Sequence, residues 1–407
     1  MRRRGGRLGD RLRGVALEQG EQEVLSEQSS GKPATLARSP TLTRWTSEQV
    51  QSIRLDDTNT ARLIAAGDFT RDELIDFWDA WPVQNADGHP ARIEADVTLW
   101  MALAAPHFSD PDIRHGHARI HLLERRGDEW MHLGPVMPDG FSPGSREWSG
   151  SAVLAPDKQN LTLYFTAAGR RGEVEPTFGQ RLFLAKAKLE AGANGSAFTD
   201  WHGLTEIVSH KSSYYMDTET VGCGPGTIKA FRDPAFFRDP LDAHHYLFFA
   251  ASEANSTSAF NGVVGWAIEQ APGCWTVLSP VVSADGLNNE LERPHVVFHD
   301  DAYYLFWSTQ RHVFDPAGPG GPTGLYGMVS DRLGCGWRPL NGTGLVFANP
   351  PEAPSQAYSW LVLPDLSVIS FVDDWGPVSE GRTRRFGASF APELRLELNG
   401  ATARLVR

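Results

Sequence analysis

Cysteine is scarce: the 407 residues hold three, Cys223, Cys274 and Cys335, widely spaced and without a C-x-x-C pair. An odd, sparse set is neither a disulfide framework nor a zinc site, so stability has to come from a packed core. Long apolar runs are also missing, and with them any stretch of the roughly 20 residues a transmembrane helix needs. Six N-terminal arginines (Arg2, Arg3, Arg4, Arg7, Arg11 and Arg13) are not followed by the apolar segment of a standard secretory signal. Basic charge is in deficit, with 38 Lys and Arg against 50 Asp and Glu and a net charge of −12. That balance argues against nucleic acid, which needs a basic footprint, and against an anionic membrane surface. A neutral ligand such as a sugar is untouched by it. Sustained helical periodicity is absent too.

What the chain does have is 40 Gly, 27 Pro and 13 Trp, with short alternating or apolar runs between turn clusters. This composition indicates an all-β fold. Residues 1–40 are polar and read as a disordered basic tail, leaving 41–407 as a single domain. Thr46, three residues before Gln49, fits a helix N-cap, and one or two short helices are expected up to Leu74. Next comes Asp76–Gly88, where Asp79 sits between Trp78 and Trp81 ahead of Pro82 and an Asn85–Gly88 turn. By itself, an acid in that company is as well explained by a turn cap beside core indoles.

A repeat changes its weight. Five times a polar landmark opens a strand, a turn follows, and an apolar strand answers. The landmarks are Trp78-Asp79, Glu147-Trp148-Ser149-Gly150-Ser151, Phe231-Arg232-Asp233-Pro234, Glu290-Leu291-Glu292-Arg293 and Tyr358-Ser359-Trp360. Their spacing of about 60–85 residues suits one four-stranded sheet each, and radial repetition of such sheets is a five-bladed β-propeller. A β-sandwich with an appended domain is the competing architecture. In a propeller the innermost strands converge on the axis, so Asp79, Asp233 and Glu292 would share a central pocket.

Paired carboxyl groups are the equipment for cleaving a glycosidic bond, one as nucleophile or base and the other as acid. Asp79, enclosed by indoles, suits the nucleophile. Glu292 suits the acid, since Glu290 two residues earlier would raise the pKa of one member of the pair. Arg232-Asp233 supplies a fork and an acceptor for sugar hydroxyls. No G-x-S-x-G elbow frames Ser149 or Ser151, which sets a serine nucleophile aside.

Together these motifs resemble the levansucrase and inulosucrase family, glycoside hydrolase family 68, from about Trp45 to the C-terminus. The resemblance implies a five-bladed propeller that acts on sucrose with retention, through a covalent fructosyl-enzyme, and passes fructose to a fructan, a fructo-oligosaccharide or water. It makes Asp79 the nucleophile, Asp233 the transition-state stabiliser and Glu292 the general acid/base. Trp78, Trp148, Ser149, Arg232, Glu290, Arg293 and Tyr358 match substrate-pocket positions, Trp81 is expected to help shape the same pocket, and His312 falls on the acceptor side. The alternatives are a mainly hydrolytic β-fructofuranosidase and a sugar-binding propeller without catalysis.

Two departures from the family pattern stand out. Phe249 is followed by Ala250-Ala251-Ser252 where a carboxylate is usual, and Glu253 is the residue that would restore it by a local shift. Asn289 stands where calcium-binding members carry Asp, so no metal and no cofactor are expected. The Asp217–Lys229 stretch looks long and would reshape the pocket rim. Action outside the cell is expected from the resemblance, with cytoplasmic residence as the alternative.

Overall fold

The computed structural model describes residues 41–192, 195–208, 212–219, 224–376 and 384–406. The tail at 1–40 and Cys223 lie outside the described residues. Those that are described fall in one compact unit.

The described strands form four sheets, and the nine-stranded one divides at a parallel pairing into two antiparallel sets, so five antiparallel blades follow one another along the chain. Their first strands are Ile75–Gln84 in blade I, Arg146–Leu154 in blade II, Phe231–Arg238 in blade III, Glu292–His299 in blade IV and Ala357–Val362 in blade V. Each landmark read from the sequence lies on or beside one of these strands, and each answering apolar run is the second strand of its blade. The first strands of blades I and II meet in a short parallel pairing, Val83 with Ala152 and Gln84 with Val153.

The blades hold together through the apolar faces between them. One layer joins blades I, II, IV and V through Leu99, Phe165, Phe306 and Phe371. Others join II to III through Leu182 and Phe249 and III to IV through Trp266 and Trp307. Both faces of most central strands are therefore covered, which is why those strands read as continuous apolar runs rather than strict alternation.

All five first strands break register near their pocket end. The shifts fall between Trp78 and Trp81, Trp148 and Gly150, Arg232 and Ala235, Glu292 and His295, and Tyr358 and Leu361. In four of them the bulged residue has positive φ: Asp79 at 50°, Asp233 at 63°, Arg293 at 48° and Ser359 at 62°. Asp tolerates this region better than most residues, whereas Arg and Ser hold it under strain. A bulge re-aims a side chain, here toward the axis. In blade II the work falls to Gly150, where a Cβ would lie 1.9 Å from the Tyr164 carbonyl oxygen.

At the N-terminal end, one helix, Ser47–Gln51, carries the expected capping box, with Thr46 and Gln49 each bonding the other's backbone. The chain from there to Leu74 is turns and irregular backbone instead of a second helix. Thr43–Arg44 adds a parallel strand to the outer edge of blade III at Val282–Ser283. Trp45 then inserts between blades, 5.5 Å from the Trp307 ring and 5.0 Å from Tyr326, with its Nε1–H on the Thr343 carbonyl at 2.9 Å. Trp45→Ala should therefore cost about 3–5 kcal/mol, measured by urea unfolding; a loss under about 1 kcal/mol would show that this segment does not anchor the fold.

Candidate active site

The bulges bring side chains from all five blades to one end of the axis. At the centre is Arg232, buried on blade III. Its Nη2 lies 2.7 Å from Glu292 Oε1 and 3.3 Å from Glu290 Oε2, and its Nε lies 3.7 Å from Asp233 Oδ2. Burial would favour loss of its proton, but Glu290, Glu292 and Asp233 together hold it charged. Tyr358, from blade V, donates its hydroxyl to the other oxygen of Glu292.

Asp79 occupies the blade I bulge. Ser149 Oγ, on blade II, donates to Asp79 Oδ2 at 3.0 Å. Removal from water pushes Asp79 upward, against Arg293 and the hydroxyls of Ser359 and Ser149, which favour its charge. Asp233 takes a weak bond from the Arg293 backbone N–H at 3.4 Å, while its own N–H donates to Thr166 Oγ1 at 2.9 Å. Burial, then the charges of Glu292 and Asp79, push Asp233 up to about 7 despite Arg232 and Arg293.

The Glu290–Glu292 pair behaves as one unit holding one proton. Burial and the neighbouring Glu292 raise Glu290 to about 7, with Arg232 opposing. Burial acts on Glu292 too, but Arg232, the Tyr358 hydroxyl and Glu290 outweigh it and hold Glu292 low. The balance of these effects favours the proton on Glu290 and the charge on Glu292. The strand begins at Glu292, and Glu290, just before it, meets Glu292 through the shared guanidinium and a direct side-chain hydrogen bond.

Other expected site residues divide. Trp78 is buried, with its ring centroid 6.1 Å from that of His115 in an edge-on arrangement and the Arg114 guanidinium 5.3 Å away. Trp148 is half-buried, with the Arg146 guanidinium 5.9 Å from its ring. Arg293 is spent on the protein: Nη1 donates to the Ser359 carbonyl and hydroxyl at 3.2 and 3.0 Å, and Nη2 to the Ala80 carbonyl at 2.7 Å. It staples blade IV to blades V and I and lends its charge to the pocket. Trp81 departs from the expectation that it shapes the pocket. The bulge at Asp79 breaks the alternation that would have put the two on one face, and the indole packs in the core. It lines a separate cavity of about 220 Å³ with His295 and Phe236 at the far ends of the same strands.

His312 is exposed on the turn Arg311–Val313, and that turn is tied to the segment carrying Glu290 by the Asn289 N–H on the Val313 carbonyl at 2.9 Å. Glu253 Oε2 accepts from Ser283 Oγ at 2.9 Å. Asn289 donates to the Ile228 carbonyl and to Glu290 Oε1, at 3.2 and 3.1 Å. Among the described residues no group of three or more His, Cys, Asp and Glu is placed to hold a metal ion.

Sequence reasoning missed a second charged cluster at the rim. Arg114 is buried, with its guanidinium 4.1 Å from the Phe386 ring, and Asp112, Arg384 and Asp373 continue the network, Arg384 reaching Asp112 and Asp373 at 2.5 Å each. Arg114 feels the Asp79 charge and the adjacent His115 feels that of Glu292. The surrounding protein and the Arg114 charge push the His115 pKa down, although the residue keeps solvent access. The polar segment Asp110–His117, interrupting two apolar strands at their pocket end, is the signal that could have found it.

Comparison with known proteins decides the relationship. The levansucrase/invertase family model, glycoside hydrolase family 68, matches residues 36–264 and 252–406. The chain belongs to this family. It is 30% identical to levansucrase LscB of Pseudomonas savastanoi pv. glycinea, over 88% of this chain and 89% of that protein. It is 32% identical to the levansucrase of Rahnella aquatilis, over 88% and 93%. Among solved structures, the inulosucrase of Halalkalicoccus jeotgali bound to kestose superposes with a TM-score of 0.81 at 33% identity, covering 90% of this chain and 95% of that one. For a family 68 chain the carboxylate-lined axial pocket is the expected catalytic locus, and the five-bladed propeller is the expected frame.

The raised pKa of Asp233 has a stability consequence. A carboxyl whose folded pKa lies above its unfolded value adds stability at low pH and loses it as pH rises through the folded value, here from about 4 to about 7. Asp233→Asn stays neutral throughout. Its melting temperature should match that of the wild type near about pH 4 and exceed it by several degrees near about pH 8. Calorimetry at the two pH values checks this, and an equal difference at both would contradict a buried, proton-retaining Asp233.

Proposed function

We propose that the chain is a retaining fructosyltransferase that takes sucrose and works through a covalent fructosyl-enzyme. The observation that carries this reading is the pairing, in one pocket, of Asp79 held by hydroxyl donors with Glu292 held by Arg232 and Tyr358, with Glu290 on the same guanidinium. Asp79 attacks the anomeric carbon of the fructosyl unit. Glu292, taking the proton from Glu290 to which it is hydrogen-bonded, protonates the glycosidic oxygen and glucose departs. Glu292 then acts as base toward the acceptor.

Asp233, beside the fixed charge of Arg232, accepts hydroxyl bonds that strengthen as positive charge develops on the sugar ring. Trp78, Trp148 and Ser149 wall the fructosyl side, and His312 faces the acceptor side. With water as acceptor the product is free fructose; with a sugar it is a fructo-oligosaccharide or levan. The levansucrase names of the two relatives support levan as the polymer, and action outside the cell goes with that product. A mainly hydrolytic β-fructofuranosidase is the second reading, which the absence of a carboxylate at Ala250–Ser252 favours.

Two measurements test the reading. Asp79→Ala should lower glucose release from sucrose by about 10⁴-fold, and retention of a tenth of the rate would reject the assignment; free fructose assayed in parallel divides transfer from hydrolysis. In Glu290→Gln the pair can no longer store its proton, leaving Glu292 with a lowered pKa. The alkaline limb of kcat/KM, set near the value of about 7 for Glu290, should then move to lower pH. An unmoved limb would show that Glu290 is not the proton reservoir.

A further inference from the structure

Away from the axis, a lateral groove of about 570 Å³ runs between blades I and II. Its size falls within the about 300–1,000 Å³ typical of ligand clefts. One wall is Pro135–Phe141, the connection from the outer strand of blade I to the first strand of blade II. The other is Phe198–Trp201 on the outer strand of blade II, Gly195–Val208.

Several features mark it as a built surface. The outer strand of blade II bulges between Thr199 and His202, with Asp200 at φ 51°, which turns Asp200 and Trp201 into the groove. The indole is fixed there by its Nε1–H on the Phe198 carbonyl at 3.0 Å and by the Phe141 ring at 5.6 Å. Thr199 Oγ1 is buried in the wall without a hydrogen-bond partner. Asp139 and Asp200 stand exposed along the rim, each with one cation beside it, Arg119 at 2.9 Å and Lys188 at 3.0 Å.

Half-buried aromatic faces with flanking carboxylates suit a chain of neutral sugars, whose C–H faces stack on rings and whose hydroxyls donate to carboxylates. The acids and the scarcity of cations disfavour a polyanion. The groove is also joined to the reaction centre. Arg119 binds the Met137 carbonyl and Asp139 on the groove wall, and its Nε lies 3.1 Å from Glu147 Oε1, two residues before the Ser149 that donates to Asp79. The 135–146 connection runs across the same end of the propeller as the carboxylates.

We propose that this groove between blades I and II is an auxiliary site for a fructan chain, holding the growing product beside the pocket that elongates it. The identity of the occupant rests on the fructosyltransferase reading above. Binding is tested apart from catalysis by native gel electrophoresis of Asp79→Asn protein through gels containing levan, inulin or dextran. Retardation by levan or inulin but not dextran is expected, weakened about tenfold in the added Trp201→Ala background, restored by Trp201→Phe and reduced by Asp200→Asn, which keeps the left-handed backbone.

With Asp79 intact, Trp201→Ala should release glucose from sucrose at the wild-type rate while making shorter products. That rate also verifies that the variant is folded. Equal retardation with and without Trp201, no retardation at all, or equal retardation by dextran would overturn the proposal. So would sedimentation showing that Trp201→Ala dissolves a dimer, which would make the groove an interface between copies. Failure of glucose release in the otherwise unaltered enzyme would instead strike the fructosyltransferase reading.

Discussion

One buried guanidinium makes the pocket possible. Arg232 lies within 4 Å of three carboxylates that could not be gathered around an empty axis, because like charges removed from water drive one another to neutrality. Its charge is shared unequally. Glu292 receives the shortest contact and the Tyr358 hydroxyl as well, so it stays low, while Glu290 and Asp233 are pushed up to about 7. Carboxyl groups of one chemical type are thereby sorted into different protonation states by position alone, which is the division of labour that acid–base chemistry at a glycosidic bond requires.

The second constraint is backbone geometry. A regular strand would turn every second side chain of the first strands toward a neighbouring blade. Bulges at corresponding points in five blades break that alternation and direct Asp79, Ser149, Asp233 and Ser359 inward. Arg293 is held at positive φ by what its guanidinium binds on two other blades. Local strain there is maintained by the packing of the whole ring.

The propeller was legible in the sequence because its repeat has a form that survives low identity: a polar landmark, a turn, an apolar answering strand. Asp79, Asp233 and Glu292 were legible as occupants of one pocket for the same reason. The bulges themselves were not legible: the break at Asp79 interrupts the alternation beside Trp81, whose indole packs in the core, and Glu290 and Glu292 are gathered by Arg232. The Arg114–Asp112–Arg384–Asp373 network was invisible because its members come from blades at opposite ends of the chain. Nothing local in Asp373 or Arg384 announces the partner.

Pairing between opposite ends of the chain also has a temporal side. Asp79 comes from the first blade, while the hydroxyl on Glu292 belongs to Tyr358 in the last, and Arg293 is anchored by Ala80 of the first blade and Ser359 of the last. A nascent chain that has not yet delivered its final blade has no finished reaction centre, however well its earlier sheets have formed. Chemistry begins when the ring closes, so synthesis itself keeps the unfinished protein from acting on the sugars around it.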